Sequence, residues 1–231
     1  MDGFRKSKDG ISRRRLLKTT GKVGAAGAVG TSPLLSGCTQ EVVGGGGLKI
    51  GVLFPYGFLG RWGRTSTWGF LSGLASVYGE DPIPLNPDGL WAGEEVTFET
   101  EDRRYQIIIR DTTYDPSTAE EAATDLVLDE NVDMLFGVLE TSSTIRVIEQ
   151  VSKPTDTLHI TGGVSSIDVT GDTNLCGRKI FRANENTGME ARALAKYIGE
   201  ETDTESMYLL GADNSFGRSS IPLYRRALEA N

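Results

Sequence analysis

The chain has 231 residues, of which 24 are Lys or Arg and 32 Asp or Glu, a formal net charge of −8. Residues 1–37 hold eight of the bases and two of the acids, leaving 16 bases against 30 acids, a net of −14, in residues 38–231. A body this acidic repels nucleic-acid phosphates and so excludes DNA or RNA as a partner. One histidine, His159, and two separated cysteines, Cys38 and Cys176, supply no ligand set for zinc or an iron–sulfur cluster.

Only four lysines (Lys49, Lys153, Lys179 and Lys196) stand among the bases after residue 37. Many carboxylates with few lysines make the surface expected of a protein kept soluble in concentrated salt, which points to a halophilic, haloarchaeal source.

The first elements in chain order are an address and an anchor. Ser12-Arg13-Arg14-Arg15-Leu16-Leu17-Lys18 resembles a twin-arginine export motif, and the weakly apolar Gly21–Gly30 follows it. Leu35-Ser36-Gly37-Cys38 resembles a lipobox, in which the Cys38 thiol receives a lipid and becomes the first mature residue. Residues 1–37 are therefore expected to be a signal peptide. Residues 38–47, ending in four glycines, form a flexible tether. With Cys38 lipidated, Cys176 is left as a lone thiol, expected to be a buried packing residue. No run of 18 apolar residues occurs.

From Leu48 onward short apolar runs alternate with amphipathic segments. Leu48–Phe54 is a buried-type strand, and Thr65–Tyr78 a helix with Trp68, Leu71, Leu74, Ala75 and Tyr78 on one face. Residues 80–92 are a proline-rich loop, followed by a hairpin of Glu95–Glu99 and Tyr105–Arg110. Asp115-Pro116 starts a helix to about Asp129. Strands at Val132–Val138, Thr157–Thr161 and Lys179–Arg182 follow, with a helix over Ser142–Ser152. Thr187 with Glu190 reads as a capping box, opening a helix to near Gly199. A strand at Ser206–Gly211 and a helix at Phe216–Ala230 close the chain. The alternation predicts an α/β fold: a parallel sheet with helices on both faces.

In such sheets ligands sit beyond the carboxyl ends of the strands. The corresponding loops are 55–64, 111–115, 139–142, 162–166 and 212–216. Thr141-Ser142-Ser143-Thr144 places four hydroxyls at a helix start; one would be a cap, whereas four suit a bound carboxylate. Gly162-Gly163-Val164-Ser165-Ser166 repeats that chemistry one strand later. Trp62 can form an apolar wall. No GxGxxG, GxSxG or Walker motif occurs, and no nucleophile–base pair, so neither a cofactor nor catalysis is implied. His159 reads as a core histidine. The carboxylates Glu120, Glu121, Asp125, Asp129 and Glu130 read as a solvated helix face.

These segments carry a resemblance. LKIGVLFP, Trp62-Gly63 at the first helix, IIIRDTTYDPSTAEEAA, VDMLFGVLETSST, HITGGVSS, KIFRANENTGMEARALAKYI and MYLLGADNSFGRSS occur in the order and spacing of the type I periplasmic-binding-protein fold. They resemble in particular the branched-chain amino-acid (Leu/Ile/Val) substrate-binding proteins of ABC importers.

The resemblance implies two lobes closing on an amino acid or an amide-like solute, which is then handed to permease subunits. It implies Thr141 and Ser142 for the solute carboxylate, the Gly163 carbonyl for its ammonium and Ser165 for either, with Ser166 beside them. Trp62 would line the mouth and Phe216 would close over the ligand. It further implies lobe I over 48–182, with a crossover at Phe181-Arg182-Ala183, and the hinge and an incomplete start of lobe II over 183–231. The rest of lobe II, with the acidic residue that usually meets the ammonium, is expected to be missing, as from a fragment or a truncated gene. The same fold serves sensory ectodomains; the lipobox favours a transporter component anchored at the outer face of the cytoplasmic membrane.

Overall fold

The computed structural model describes residues 47–57, 59–78, 95–99 and 103–230. The expected signal peptide over 1–37, Cys38, most of the expected tether and the expected 80–92 loop lie outside them. The described residues belong to one compact unit.

Strand β1 (Leu48–Phe54) lies at the centre of a six-stranded sheet. Its neighbours are β3 (Arg104–Asp111) and β4 (Met134–Gly137), both parallel to it. The sheet continues through β5 (Leu158–Thr161) to β6 (Ile180–Arg182), also parallel. At the other edge β2 (Glu95–Glu99) pairs antiparallel with β3, as the hairpin pattern predicts. The order β2-β3-β1-β4-β5-β6 reverses direction between β1 and β4. That reversal opens a crevice at the carboxyl ends of these two strands.

Alternation along β1 sends its side chains to two cores. Ile50, Val52 and Phe54 pack with Ile107, Ile109 and Leu71 of helix α1 (Gly60–Tyr78) on one face. Phe136 stacks on Phe70 of α1, ring centroids 4.2 Å apart, and meets Phe54 edge-on at 5.7 Å. Leu53 faces the other way, into a core with Ile108, Leu135, Ala119, Ala123, Leu126, Val147 and Val151. That second layer is built by α2 (Pro116–Thr124) and α3 (Thr141–Val147), each continued by a wider π turn, Asp125–Asp129 and Ile148–Ser152. Helices cover both faces, as expected for strands read as continuous apolar runs.

Asp115 caps α2, accepting from the Ser117 and Thr118 amides at 2.9 Å each, with Pro116 at the first position where no amide is needed. The carboxylates that follow are not simply solvated. Asp125 and Glu130 pair with Arg110 at 2.8 and 3.2 Å, Glu130 also meets Lys49, and Glu120 pairs with Arg146.

The short α4 (Asp168–Gly171) lies in the β5–β6 crossover, and after β6 come α5 (Thr187–Glu201) and α6 (Ser215–Glu229). Three expectations change in this region. The capping box is absent: Asn186 is the cap, accepting from the Met189 amide at 3.1 Å. Thr187 instead donates its amide and hydroxyl to the Ser165 carbonyl, both at 2.8 Å, and Glu190 accepts from Tyr224 of α6. Residues 206–211 make no ladder among the described residues; Tyr208 and Leu210 are exposed, because a strand pattern needs a neighbouring strand to pair with. Cys176 is exposed rather than buried, its thiol directed to the Thr170 carbonyl at 3.0 Å.

Candidate functional site

Helix α1 begins at Gly60, five residues before the expected start, so Trp62 stands on its first turn and not in a loop. Gly63 lets this turn approach β1: a Cβ there would lie 2.8 Å from the Pro55 carbonyl oxygen. The end of β1 is tied to β3 by Asp111, whose carboxylate accepts from the Tyr56 amide at 2.9 Å and the Gly57 amide at 3.2 Å.

Beyond β3 the chain passes through Thr113 and Tyr114 at φ 49° and 62°, two consecutive left-handed residues that are not glycine. Such backbone costs about 1–3 kcal/mol per residue and clusters at functional sites. Here it turns Tyr114 toward the crevice. Beyond β4 the turn is equally constrained: Gly137 has φ 115° and Val138 φ 63°, with the Val138 amide donating to the Leu53 carbonyl at 2.6 Å. This bend delivers Leu139-Glu140-Thr141.

The hydroxyl quartet does not act as a unit. Glu140 is the N-cap of α3, and its carboxylate accepts from the Ser142 amide at 3.0 Å and the Ser143 amide at 2.6 Å. Ser142 Oγ donates to the same carboxylate at 2.7 Å. Thr144 Oγ1 donates to the Glu140 carbonyl at 2.8 Å, and Ser143 is fully buried. The protein's own carboxylate therefore takes the Ser142 donors foreseen for the solute's, while Thr141 lines the cavity beyond the strand ends. Burial pushes the Glu140 carboxyl up, but the donors of Ser142 and Ser143 outweigh it and hold it below the ordinary carboxylate range.

The loop after β5 is stapled from β6. Arg182 donates to the Val164 carbonyl, to the Ser166 carbonyl at 2.5 Å and to Thr170 Oγ1 at 3.2 Å. Asn184 accepts from the Gly163 amide and donates to the Val164 carbonyl, both at 3.1 Å. Gly163 has φ 103°, a conformation glycine adopts without strain. Ser166 is fully buried, its hydroxyl bonded to Asp168 at 3.1 Å, so it caps the following turn and does not reach the crevice.

The strand ends enclose a cavity of about 450 Å³ lined by Trp62, Tyr114, Glu140, Thr141, Gly163 and Ser165, with Leu59, Leu139, Asn184, Glu185 and Phe216 completing its wall. Five of the seven residues expected from sequence thus converge: Trp62, Thr141, Gly163, Ser165 and Phe216. Ser142 instead borders a separate groove on the outer side of α3, beside Arg146 and Glu149. Tyr114 and Glu140 are additions; Tyr114 lies in a loop marked by position, but nothing in its residue type marks it out. The Tyr114 hydroxyl is raised above its ordinary pKa by burial and then by the charge of Glu140, which places the two groups within electrostatic reach. Among the described residues no cluster of His, Cys, Asp and Glu could hold a metal ion.

A mostly parallel sheet sandwiched by helices thus gathers aromatic and hydroxyl side chains from strained loops at its switch point. The family profile described as Periplasmic binding protein matches residues 48–231, and the chain belongs to that family. A search of curated proteins finds no match. Among solved structures, an ABC transporter substrate-binding protein from Sphaerobacter thermophilus is similar at 20% identity and TM-score 0.64, over 80% of this chain and 45% of that one. A substrate-binding protein from Desulfitobacterium hafniense in complex with Leu has 15% identity and TM-score 0.61, over 80% and 48%. A solute-binding protein from R. palustris in complex with benzoate has 20% identity and TM-score 0.59, over 80% and 45%. The chain spans less than half the length of these relatives.

Proposed function

We propose that this chain is the first lobe, with the beginning of the second, of an extracytoplasmic binding protein that captures a small polar solute for an ABC permease. The observation that carries the reading is the convergence of Trp62, Thr141, Gly163, Ser165 and Phe216 on one cavity at the sheet's switch point. Thr141 and Ser165 offer hydroxyls, and Gly163 a backbone carbonyl, to an amino-acid-like or amide-like solute. Two of the similar structures hold Leu and benzoate, small solutes of the size this reading requires. Lobe I would run over 48–182, with the crossover at Arg182 and the second lobe beginning at 183. Closure would be a hinge motion stabilised by contacts from both sides.

The family match begins at Leu48, which leaves room before it for a twin-arginine leader, a lipid on Cys38 and a tether over 38–47. Mass spectrometry of the membrane-extracted protein tests the anchor: a lipid mass on the peptide starting at Cys38, lost in Cys38→Ser. The acidic body further suggests a halophilic source, and its stability should rise from low to multimolar salt.

Titration calorimetry with amino acids, amides and urea tests the site. Thr141→Ala and Ser165→Ala should each weaken binding about tenfold, the worth of a lost hydrogen bond. Unchanged affinity in both would remove the assignment.

A further inference from the structure

One carboxylate reaches both of the loops that bring Trp62 and Tyr114 to the cavity. Asp111, the last residue of β3, lies opposite Phe54, the last residue of β1. Its Oδ1 accepts from the Tyr56 amide at 2.9 Å, in the chain leaving β1, and from the Thr113 amide at 2.8 Å, in the chain leaving β3. Its Oδ2 accepts from the Gly57 amide at 3.2 Å. Beside these bonds the Thr112 amide donates to the Phe54 carbonyl at 3.1 Å. Asp111 itself does not line the cavity.

Each bond has a path to an aromatic wall. Tyr56 is buried, and its hydroxyl lies 2.5 Å from Thr67 Oγ1 of α1. Thr67 in turn donates to the Gly63 carbonyl at 2.9 Å, so the Tyr56 hydroxyl is the donor between them. Gly63 follows Trp62 on the first turn of α1. On the other side Thr113 precedes Tyr114, and both stand in a left-handed conformation that side chains seldom adopt. An aspartate accepting from the amide two residues on is a local turn that favours such backbone. Resting on the solute-capture reading, we propose that Asp111 is a positioning residue: its carboxylate clamps the two loops, fixes the spacing of Trp62 and Tyr114, and thereby sets solute affinity.

Asp111→Asn tests this in the full chain. Asparagine keeps the shape but has one acceptor oxygen and turns an amino group toward an amide N–H, so three donors can no longer be served. Hydrogen exchange at the Tyr56, Gly57 and Thr113 amides should accelerate on the order of 10- to 100-fold, the range of a lost charge-assisted hydrogen bond. Calorimetry with leucinamide should show binding weakened about tenfold. Thermal melts check that each variant is folded. A purely structural role is separated in two ways. Val151→Ala, in the core under α3, lowers the melting temperature but should leave leucinamide affinity unchanged in the folded chain. In a Tyr114→Ala background, where one clamped wall is gone, Asp111→Asn should weaken binding by no more than about threefold. Unchanged exchange or unchanged affinity in folded Asp111→Asn, or a full tenfold loss persisting without Tyr114, would overturn the positioning role while leaving solute capture standing. Failure of the native chain to bind leucinamide and every amino acid and amide titrated would overturn solute capture, while accelerated exchange in Asp111→Asn would still uphold the clamp.

Discussion

The single hydroxyl proton of Ser142 is shared between the two carboxylate oxygens of Glu140, each 2.7 Å from Oγ, and the Ser142 amide donates to the same carboxylate at 3.0 Å. A side chain expected to hold solute thus holds the helix that carries it. Glu140→Ala should lower stability by about 1 kcal/mol, the usual cost of losing an N-cap. The native carboxyl is held below its ordinary value, so its contribution is fully present above the unfolded pKa. It is lost as pH falls through the native one. Urea unfolding of both forms should therefore differ at pH 7 and converge in strong acid.

Arg182 organises the cavity without lining it. Its guanidinium bonds two carbonyls and a hydroxyl of the 164–170 segment, partly buried at the edge of the sheet. Arg182→Lys keeps the charge but loses the planar fork. It should cost about 2–3 kcal/mol and weaken solute binding, because the 163–166 loop is no longer fixed. Equal affinity and stability in Arg182→Lys would show that the loop holds itself.

Gly137 is bound by geometry. At φ 115° a Cβ would stand 2.3 Å from the Leu53 carbonyl oxygen, an overlap that moving a side chain cannot relieve. Gly137→Ala should destabilise by at least about 2 kcal/mol. It should also displace Leu139–Thr141, lowering affinity in whatever fraction stays folded. Circular dichroism melts with calorimetry at a temperature where the variant is native separate these two effects.

His159 is fully buried in β5, its Nδ1 3.0 Å from Ser152 Oγ. Burial pushes its pKa down from 6.5 to about 4, against the opposing pull of the Gly137 backbone. The unfolded chain binds a proton near pH 6.5 and the folded chain only near 4, so stability falls as pH drops through that window and levels below it. The loss is on the order of 3 kcal/mol. Chemical denaturation from pH 7 to 4 should show this slope, and His159→Asn should flatten it.

The sheet and most helices could be read from pattern because continuous apolar runs such as Leu48–Phe54 and the Asp115-Pro116 start are local signals. The loops bearing the cavity were legible for the same reason, since strand ends announce them. What pattern could not supply was which way a side chain turns. Ser142 and Thr144 carry the same group as Thr141, yet the Glu140 cap and the backbone consume them. Tyr114 reaches the cavity only through two left-handed residues that its type does not favour. Ser206–Gly211 has the composition of a strand, but pairing depends on a partner strand and not on composition. Cys176 looked suited to a core, and its position after the 172–175 turn leaves it at the surface.

The central claim is that solute enters at the switch point between β1 and β4. Amide chemical-shift mapping of the isotope-labelled chain, titrated with leucinamide, tests this most directly. The account predicts shifts concentrated at Tyr114, Leu139, Thr141, Gly163 and Ser165. Shifts confined to Ile145, Glu149 and Gln150, around the groove outside α3, would contradict it.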